Sequence, residues 1–456
     1  MKIRTSVGML AVAGLAVGTG LMSAEAVPGK KARYGTSGAD VAVCDLPAMT
    51  RWGSQNGITA YSLGTTSVNL GDVDLLWIST TNEHPRIPQN AFRFADGRLV
   101  QIGQSWCKDG FCALQQEACG PCTPAGVGCP DRLGPGCSDP YSSGINGDQS
   151  NLAPRSQCNP ATGWFIYPPQ NLPSADELTD RRLQIRIFDL NTNVWPDAKY
   201  YADAFYLIEQ DFDAGNQLNN GSYREFTRGT LNSAGYRIDM TGSTQIGKPG
   251  IFAWEENSPT VDIQPLDIPG DGRVYVASDV IDNGDGTWRY EYAIYNLTSD
   301  DAINGFRIPV PVGVNTSAIG FNDSVAHSGE PYSDSNWIIA SGVGSVNWTT
   351  SEFADDPNAN AIRWATMYNM WFTADAPPQD VAAEVEIYKT DGVETITVRG
   401  PGGSQNPYDL DGDGEVGGSD LGLFLTFWGT SGPDGDFNND GLVDGADAGL
   451  LFTNWG

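Results

Sequence analysis

Residues 273–297 read RVYVASDVIDNGDGTWRYEYAIYNL, two runs with a period of two on either side of an Asn-Gly turn. Val274, Val276 and Val280 share one phase of the first run, and Trp288, Tyr290, Tyr292 and Ile294 share one phase of the second. Such alternation puts every second side chain on one face of a strand, so the stretch predicts an antiparallel hairpin with type I′ chemistry in Asp282–Gly286. That turn chemistry accounts for the acidic residues without a metal.

Working outward, runs of the same length recur between turn residues: ITAYSLG, VDLLWIST, AFRF and RLVQIG before residue 104, then RRLQIRIFDL, KYYADAFYLIEQ and YRIDMTG. IGFNDSV, NWIIASG, SVNWTT and MYNMWFTA follow, and AAEVEIYK and VETITVRG form a last hairpin around Thr390-Asp391-Gly392. No stretch from Val41 to Gly400 sustains a helical apolar period over three turns. The expected fold is therefore mainly β, with antiparallel β-sandwich domains. The expected division is a β-rich domain over 27–175, a sandwich-like domain over 176–400, a linker over 401–408 and a small C-terminal helical domain over 409–456.

Lys2 and Arg4 precede the apolar run VGMLAVAGLAVGTGLM and Ala24-Glu25-Ala26, a small-x-small cleavage pattern, so residues 1–26 read as an export signal. Its removal takes away Lys2, Arg4 and Glu25, leaving 24 basic and 55 acidic side chains and a net charge of −31. That charge repels nucleic acid and anionic membranes and suits a hydrated surface in a salty or calcium-rich exterior. No other segment is long and apolar enough to span a bilayer. The expected location is extracellular or on the cell surface.

All eight cysteines fall between Cys44 and Cys158, and the stretch Cys107–Asn159 is dense in Gly, Pro and Ser. An even count in an exported chain points to disulfides holding an irregular loop. The C-x-x-C pair Cys119/Cys122 also has zinc or redox spacing, but no second such pair accompanies it. The connectivity stays open.

The chemistry concentrates at the end of the chain. DLDGDGEVGGSD, residues 409–420, is repeated as DFNNDGLVDGAD, residues 436–447, at an offset of 27, and the match continues to Gly429/Gly456. Each repeat fits a twelve-residue calcium loop, with oxygen ligands at positions one, three and five, glycine at six, a backbone carbonyl at seven and a carboxylate at twelve. The ligands are Asp409, Asp411, Asp413, Glu415 and Asp420 in the first loop, and Asp436, Asn438, Asp440, Leu442, Asp444 and Asp447 in the second. Glu415 and Leu442 contribute through their carbonyls. A hard cation wants six or more oxygens, and alternation lets a tight turn aim them inward. Gly417 puts no side-chain ligand at position nine of the first loop. Val416 and Val443, at position eight, are expected to meet in a short apolar contact. Leu421, Phe424, Leu425 and Trp428, like Ala448, Leu451, Phe452 and Trp455, have helical spacing, so each loop feeds one short amphipathic helix.

This arrangement resembles a type I dockerin, a resemblance confined to residues 406–456. It implies calcium as cofactor and a cohesin-like or cell-surface protein as partner, and such modules often accompany polysaccharide-degrading enzymes. Where the family's cohesin-contacting pair stands, this chain has Gly418-Ser419 and Gly445-Ala446, and no Lys or Arg follows Arg399. The body resembles exported proteins of environmental bacteria that end in similar repeats.

For the body, His84 and His327 are the only histidines, each near a glutamate, Glu83 and Glu330; ordinary loop hydrogen bonds explain both. No G-x-S-x-G, H-E-x-x-H or phosphate loop occurs. Catalytic carboxylates cannot be singled out in so acidic a chain. Strips such as TWRYEYAIYNL and MYNMWF read as sandwich core, with a sugar-stacking face as the alternative. The expectation is a non-catalytic β body displayed through a calcium tail; the alternative is a glycan-binding protein or a polysaccharide-degrading hydrolase or lyase.

Overall fold

The computed structural model describes residues 36–311, 313–325, 327–342, 344–402, 406–411, 415–431, 435–438 and 440–456. The expected export signal, part of the expected linker and the expected ligand Asp413 lie outside them.

The opening hairpin forms as read: Arg273–Asp282 pairs antiparallel with Trp288–Asn296, Val276 opposite Ile294 and Val280 opposite Tyr290. The turn differs. Five residues, 283–287, separate the last pair; φ is positive at Gly284 and Gly286 but not at Asn283, so the two consecutive left-handed residues of a type I′ turn are absent. The Asp282 and Asp285 carboxylates accept from the amides of Gly284 and Thr287, which occupies them within the loop.

Both faces of the second strand are buried. Tyr290, Tyr292 and Ile294 enter the core of a sandwich made of two five-stranded antiparallel sheets from residues 262–401. Ala293 and Tyr295, on the other phase, join a second core with Phe92, Leu99, Tyr201 and Phe205 of an eight-stranded sheet. That sheet packs its far face, including Ala91, Val100 and Ala202, toward a three-stranded sheet carrying Val41 and Val43. Four β layers thus enclose three cores, and apolar side chains on both phases are what a strand between two covered faces requires.

Strand pairing in the eight-stranded sheet joins Leu183–Arg186 to Ile58–Leu63 and Lys199–Phe205 to Gln89–Ala95. The boundary expected at 175/176 therefore runs through one continuous sheet, whose long-range pairing was invisible to local composition. Two predicted strands also end early. Leu183–Arg186 passes into a 3-10 turn at Ile187–Leu190, and Lys199–Phe205 is followed by a helix at Glu209–Ala214 that ends on left-handed Gly215. VDLLWIST keeps only Leu75–Leu76 as strand.

The cysteine-rich stretch is cross-linked, with bridges Cys44–Cys119, Cys112–Cys129 and Cys122–Cys137. Cys119 and Cys122 take different partners, which disposes of the zinc and redox readings of C-x-x-C. A buried ion pair locks the layers: Glu291, fully buried, accepts bidentately from Arg98 at 2.6 and 2.7 Å across the second core, and Arg289 stands 2.9 Å away. Burial pushes the Glu291 carboxyl up, and the two guanidiniums oppose that push.

Two short helices, Gly418–Phe427 and Gly445–Thr453, close the chain. Their small core is Val416, Phe424, Val443 and Leu451.

Candidate functional site

In the C-terminal repeat each loop is drawn onto the helix that follows it. Asp420, in the first helical turn, accepts from Gly417 N at 2.7 Å through one oxygen and from Leu410 N and Asp411 N at 2.6 and 3.0 Å through the other. Burial disfavours its charge, but these amides outweigh burial and hold the carboxyl below its usual value. Asp447 repeats the pattern with Asp444 N at 2.9 Å and Asn438 N at 3.1 Å. Asp436 accepts from Asp440 N and Gly441 N, folding the second loop back over its first carboxylate; Gly441 has φ 93°, the left-handed conformation expected at position six.

The two loops differ in convergence. Oxygens of Asp409, Asp411 and Asp420 all lie within 4.8 Å of one another, with Asp409 and Asp420 buried. In the second loop Asn438 Nδ2 donates to Asp440 at 2.9 Å, and among the described residues no second group of three carboxylates gathers. The donor set suits a hard cation: all oxygen, anionic, and in a segment from Gly400 to Gly456 with ten acidic residues and no Lys or Arg. Three carboxylates this close repel one another unless a cation or protons intervene. Within the second loop Asp440 accepts from Leu442 N at 3.1 Å and Asp444 from Ala446 N at 2.8 Å, while in the first loop Glu415 is exposed.

Val416 and Val443 share the core, but their backbones do not pair with each other. Gly429 N donates to Val443 O at 2.9 Å, and Gly456 N donates to Val416 O at 3.0 Å. Each repeat's terminal glycine thus clasps the other repeat's loop. This reciprocal closure leaves Leu425 and Trp428, and their counterparts Phe452 and Trp455, about half exposed.

A second candidate lies between the sandwich and the eight-stranded sheet, a partly open cleft of about 90 Å³. Arg155, buried at its floor, spends its guanidinium on Ser105 O, Gln89 O, Asn90 Oδ1 and Ala365 O. Glu330 accepts from Arg155 N at 2.6 Å, and burial pushes its carboxyl up. His327 faces two carbonyls, Arg182 O at 2.7 Å and Ser328 O at 2.8 Å; only a doubly protonated ring could donate to both, and burial opposes that charge, pushing it down to about 4. Tyr332 and Trp364 supply aromatic walls, and Lys389 pairs with Asp300 at 2.6 Å. Of the two histidines only His327 lines this cleft. His84 is buried elsewhere, bonded to Ile78 O and flanked by Phe165 and Tyr167. The aromatic strips of the sequence are core: Tyr290, Tyr292, Tyr295 and Phe372 are buried. Sequence reasoning missed the cleft because its walls come from segments 200 residues apart.

Fold and site together define a mainly β, disulfide-linked chain with a two-helix, carboxylate-rich repeat at its end. No protein-family model matches it, and no curated protein matches it in sequence. Among solved structures it is similar to the exo-chitosanase CsxA of Amycolatopsis orientalis, at 9% identity and a TM-score of 0.16 over 77% of this chain and 26% of that one. A second structure of CsxA, an exo-β-D-glucosaminidase with inhibitors, gives 11% identity and 0.15 over 78% and 26%. The B domain of a biofilm associated protein gives 11% identity and 0.12 over 90% and 95%. The chain spans about a quarter of the length of the CsxA chains it matches.

Proposed function

We propose that this is an exported, calcium-dependent docking protein, whose C-terminal repeat attaches a non-catalytic β body to a cohesin-like or cell-surface partner. The observation that carries the reading is the convergence of Asp409, Asp411 and Asp420 in a duplicated acidic loop. Bound calcium would supply the missing positive charge and fix the loop geometry. Asp409, Asp411, Asp413 and Asp420 with the Glu415 carbonyl would hold one ion; Asp436, Asn438, Asp440, Asp444 and Asp447 with the Leu442 carbonyl would hold the other. The repeated exposed surface of Leu425, Trp428, Phe452 and Trp455 is then the face offered to the partner, since surface aromatics of this size favour an interface.

Calcium titration of the full chain, followed by calorimetry and tryptophan fluorescence, tests this. Two saturable sites, abolished by EDTA, are expected; heat and emission indifferent to calcium would overturn it.

The second reading, a glycan-binding or polysaccharide-degrading protein, draws on the cleft, where Glu330, its carboxyl pushed up by burial, shares the lining with aromatic side chains. A glycan array with a reducing-sugar assay decides it, and negatives on both remove it.

A further inference from the structure

All eight cysteines lie within the described residues, and six are paired. The other two, Cys107 and Cys158, are unbridged, and both pack in the core between the eight-stranded sheet and the sandwich. The backbone sets this meeting. Cys107 pairs with Ala153 across a short antiparallel ladder, the chain turns through Arg155–Gln157, and Cys158 bridges back to Phe165.

We propose that Cys107 and Cys158 close a fourth disulfide, which staples one wall of the cleft to the short strand Cys107–Asp109 beside the eight-stranded sheet. This rests on the reading that the chain is exported to an oxidising exterior.

The two sulfurs are not equivalent. Cys158 lines the cleft, whereas Cys107 is fully buried. Arg86 brings its guanidinium to 3.5 Å from the Cys158 sulfur while anchored to Asp109 at 2.8 Å. Burial works against a thiolate at Cys158, but donation from Cys107 and the Arg86 charge outweigh it and hold that thiol below its usual value. At Cys107 burial raises the thiol. Cys158 is therefore the attacking sulfur and Cys107 the resolving one.

The chemistry balances with a disulfide oxidant, either a protein disulfide or an oxidised small thiol, entering through the cleft. The Cys158 thiolate attacks one oxidant sulfur, forming a mixed disulfide and expelling the first thiolate. Cys107, losing its proton to that leaving group, attacks the Cys158 sulfur and expels the second thiolate. Two protein thiols are oxidised, one oxidant disulfide is reduced to two thiols, and the protons end on the leaving thiols.

The test is alkylation of the full chain, secreted from an expression host, under denaturing conditions without reductant, followed by peptide mass spectrometry. The expected result is no alkylated cysteine and a cross-linked peptide pair containing Cys107 and Cys158. Alkylation confined to Cys107 and Cys158 would overturn this proposal and leave export untouched. Alkylation of all eight would sink export and, with it, this bridge. As a second measurement, the double variant Cys107→Ser, Cys158→Ser should melt several degrees below the wild type, with the difference vanishing once both are fully reduced; equal melting of the unreduced proteins would also count against the bridge.

Discussion

From residue 36 to 402, three apolar cores and a set of cross-links hold four β layers together, and the Arg98–Glu291 pair joins two of the layers. In the last fifty residues four buried side chains must hold two helices, each with a glycine at its fifth residue, Gly422 and Gly449, that costs about 1 kcal/mol against alanine. The body therefore carries its stability in burial, while the tail has little burial to draw on and, under the proposed function, depends on the cation its carboxylates bind. A cation that binds only the folded loops adds stability in proportion to the logarithm of its concentration over Kd.

The largest effect should come from breaking that contrast directly. Removing calcium with EDTA is expected to unfold the tail completely and leave the body folded: helical ellipticity falls, Trp428 and Trp455 become fully solvated, and proteolysis releases the C-terminus while residues 36–402 resist. A body that melts at the same lower temperature as the tail would show the two to be one cooperative unit, and an unchanged tail would refute its calcium dependence. Asp420→Ala should reproduce the loss at the first loop alone, since it removes the acceptor for three backbone amides as well as a proposed ligand.

Inside the body the sharpest cut is Glu291→Ala. It leaves Arg98 and Arg289 without their shared carboxylate between two layers, a loss of about 3–5 kcal/mol for a broken buried pair. Denaturant unfolding should show this loss, with the calcium response of the tail unaltered. A change under about 1 kcal/mol would mean that water reaches the Arg98 side well enough to replace the carboxylate.

Next in size is the double variant Cys44→Ser, Cys119→Ser. The bridge spans a separation of 75 residues, and losing a native disulfide costs about 2–5 kcal/mol. Melting should fall accordingly, again without touching the tail. Equal melting with and without the bridge would place the stability of that corner in the Val41–Val43 core instead.

How much of this was legible beforehand follows the range of the interactions. The hairpin at 273–297, the phases of its two strands and the duplication of the tail were readable because alternation and a 27-residue repeat are local signals. The type I′ turn was misread because Asn283 and Gly284 satisfy the sequence pattern while Asp282 and Asp285 impose a wider loop through their own hydrogen bonds. Pairing of 183–240 with 58–104 depends on contacts a hundred residues apart, which no window of sequence contains, so the division at 175 was drawn through a sheet. The second buried face of Trp288–Asn296 did leave a signal: Ala293 and Tyr295 interrupt the polar phase, the mark of a strand covered on both sides. Convergence of Arg155, His327 and Glu330 on one cleft left none.

The smallest effect contrasts the body's own carboxylates with those of the tail. Asp139 is buried, with one oxygen accepting from Leu114 N at 2.9 Å and the other without a hydrogen-bond partner, and burial pushes its carboxyl up to about 7. A carboxyl raised in the folded state binds its proton more tightly there than in the unfolded chain. Its charged form is penalised by folding, so stability is lost as pH rises from about 4 through about 7. His327, pushed down to about 4, works with the opposite sign, losing stability as pH falls below 6.5. The wild-type curve mixes the two, and the difference between wild type and Asp139→Asn isolates the first. That variant should be more stable than wild type by about 1–3 kcal/mol at pH 8 and equal to it near pH 4, read from denaturant unfolding at each pH. A difference that stays constant across the range would mean that Asp139 is solvated or ionised at every pH, and that this body carboxylate is handled like those of the tail.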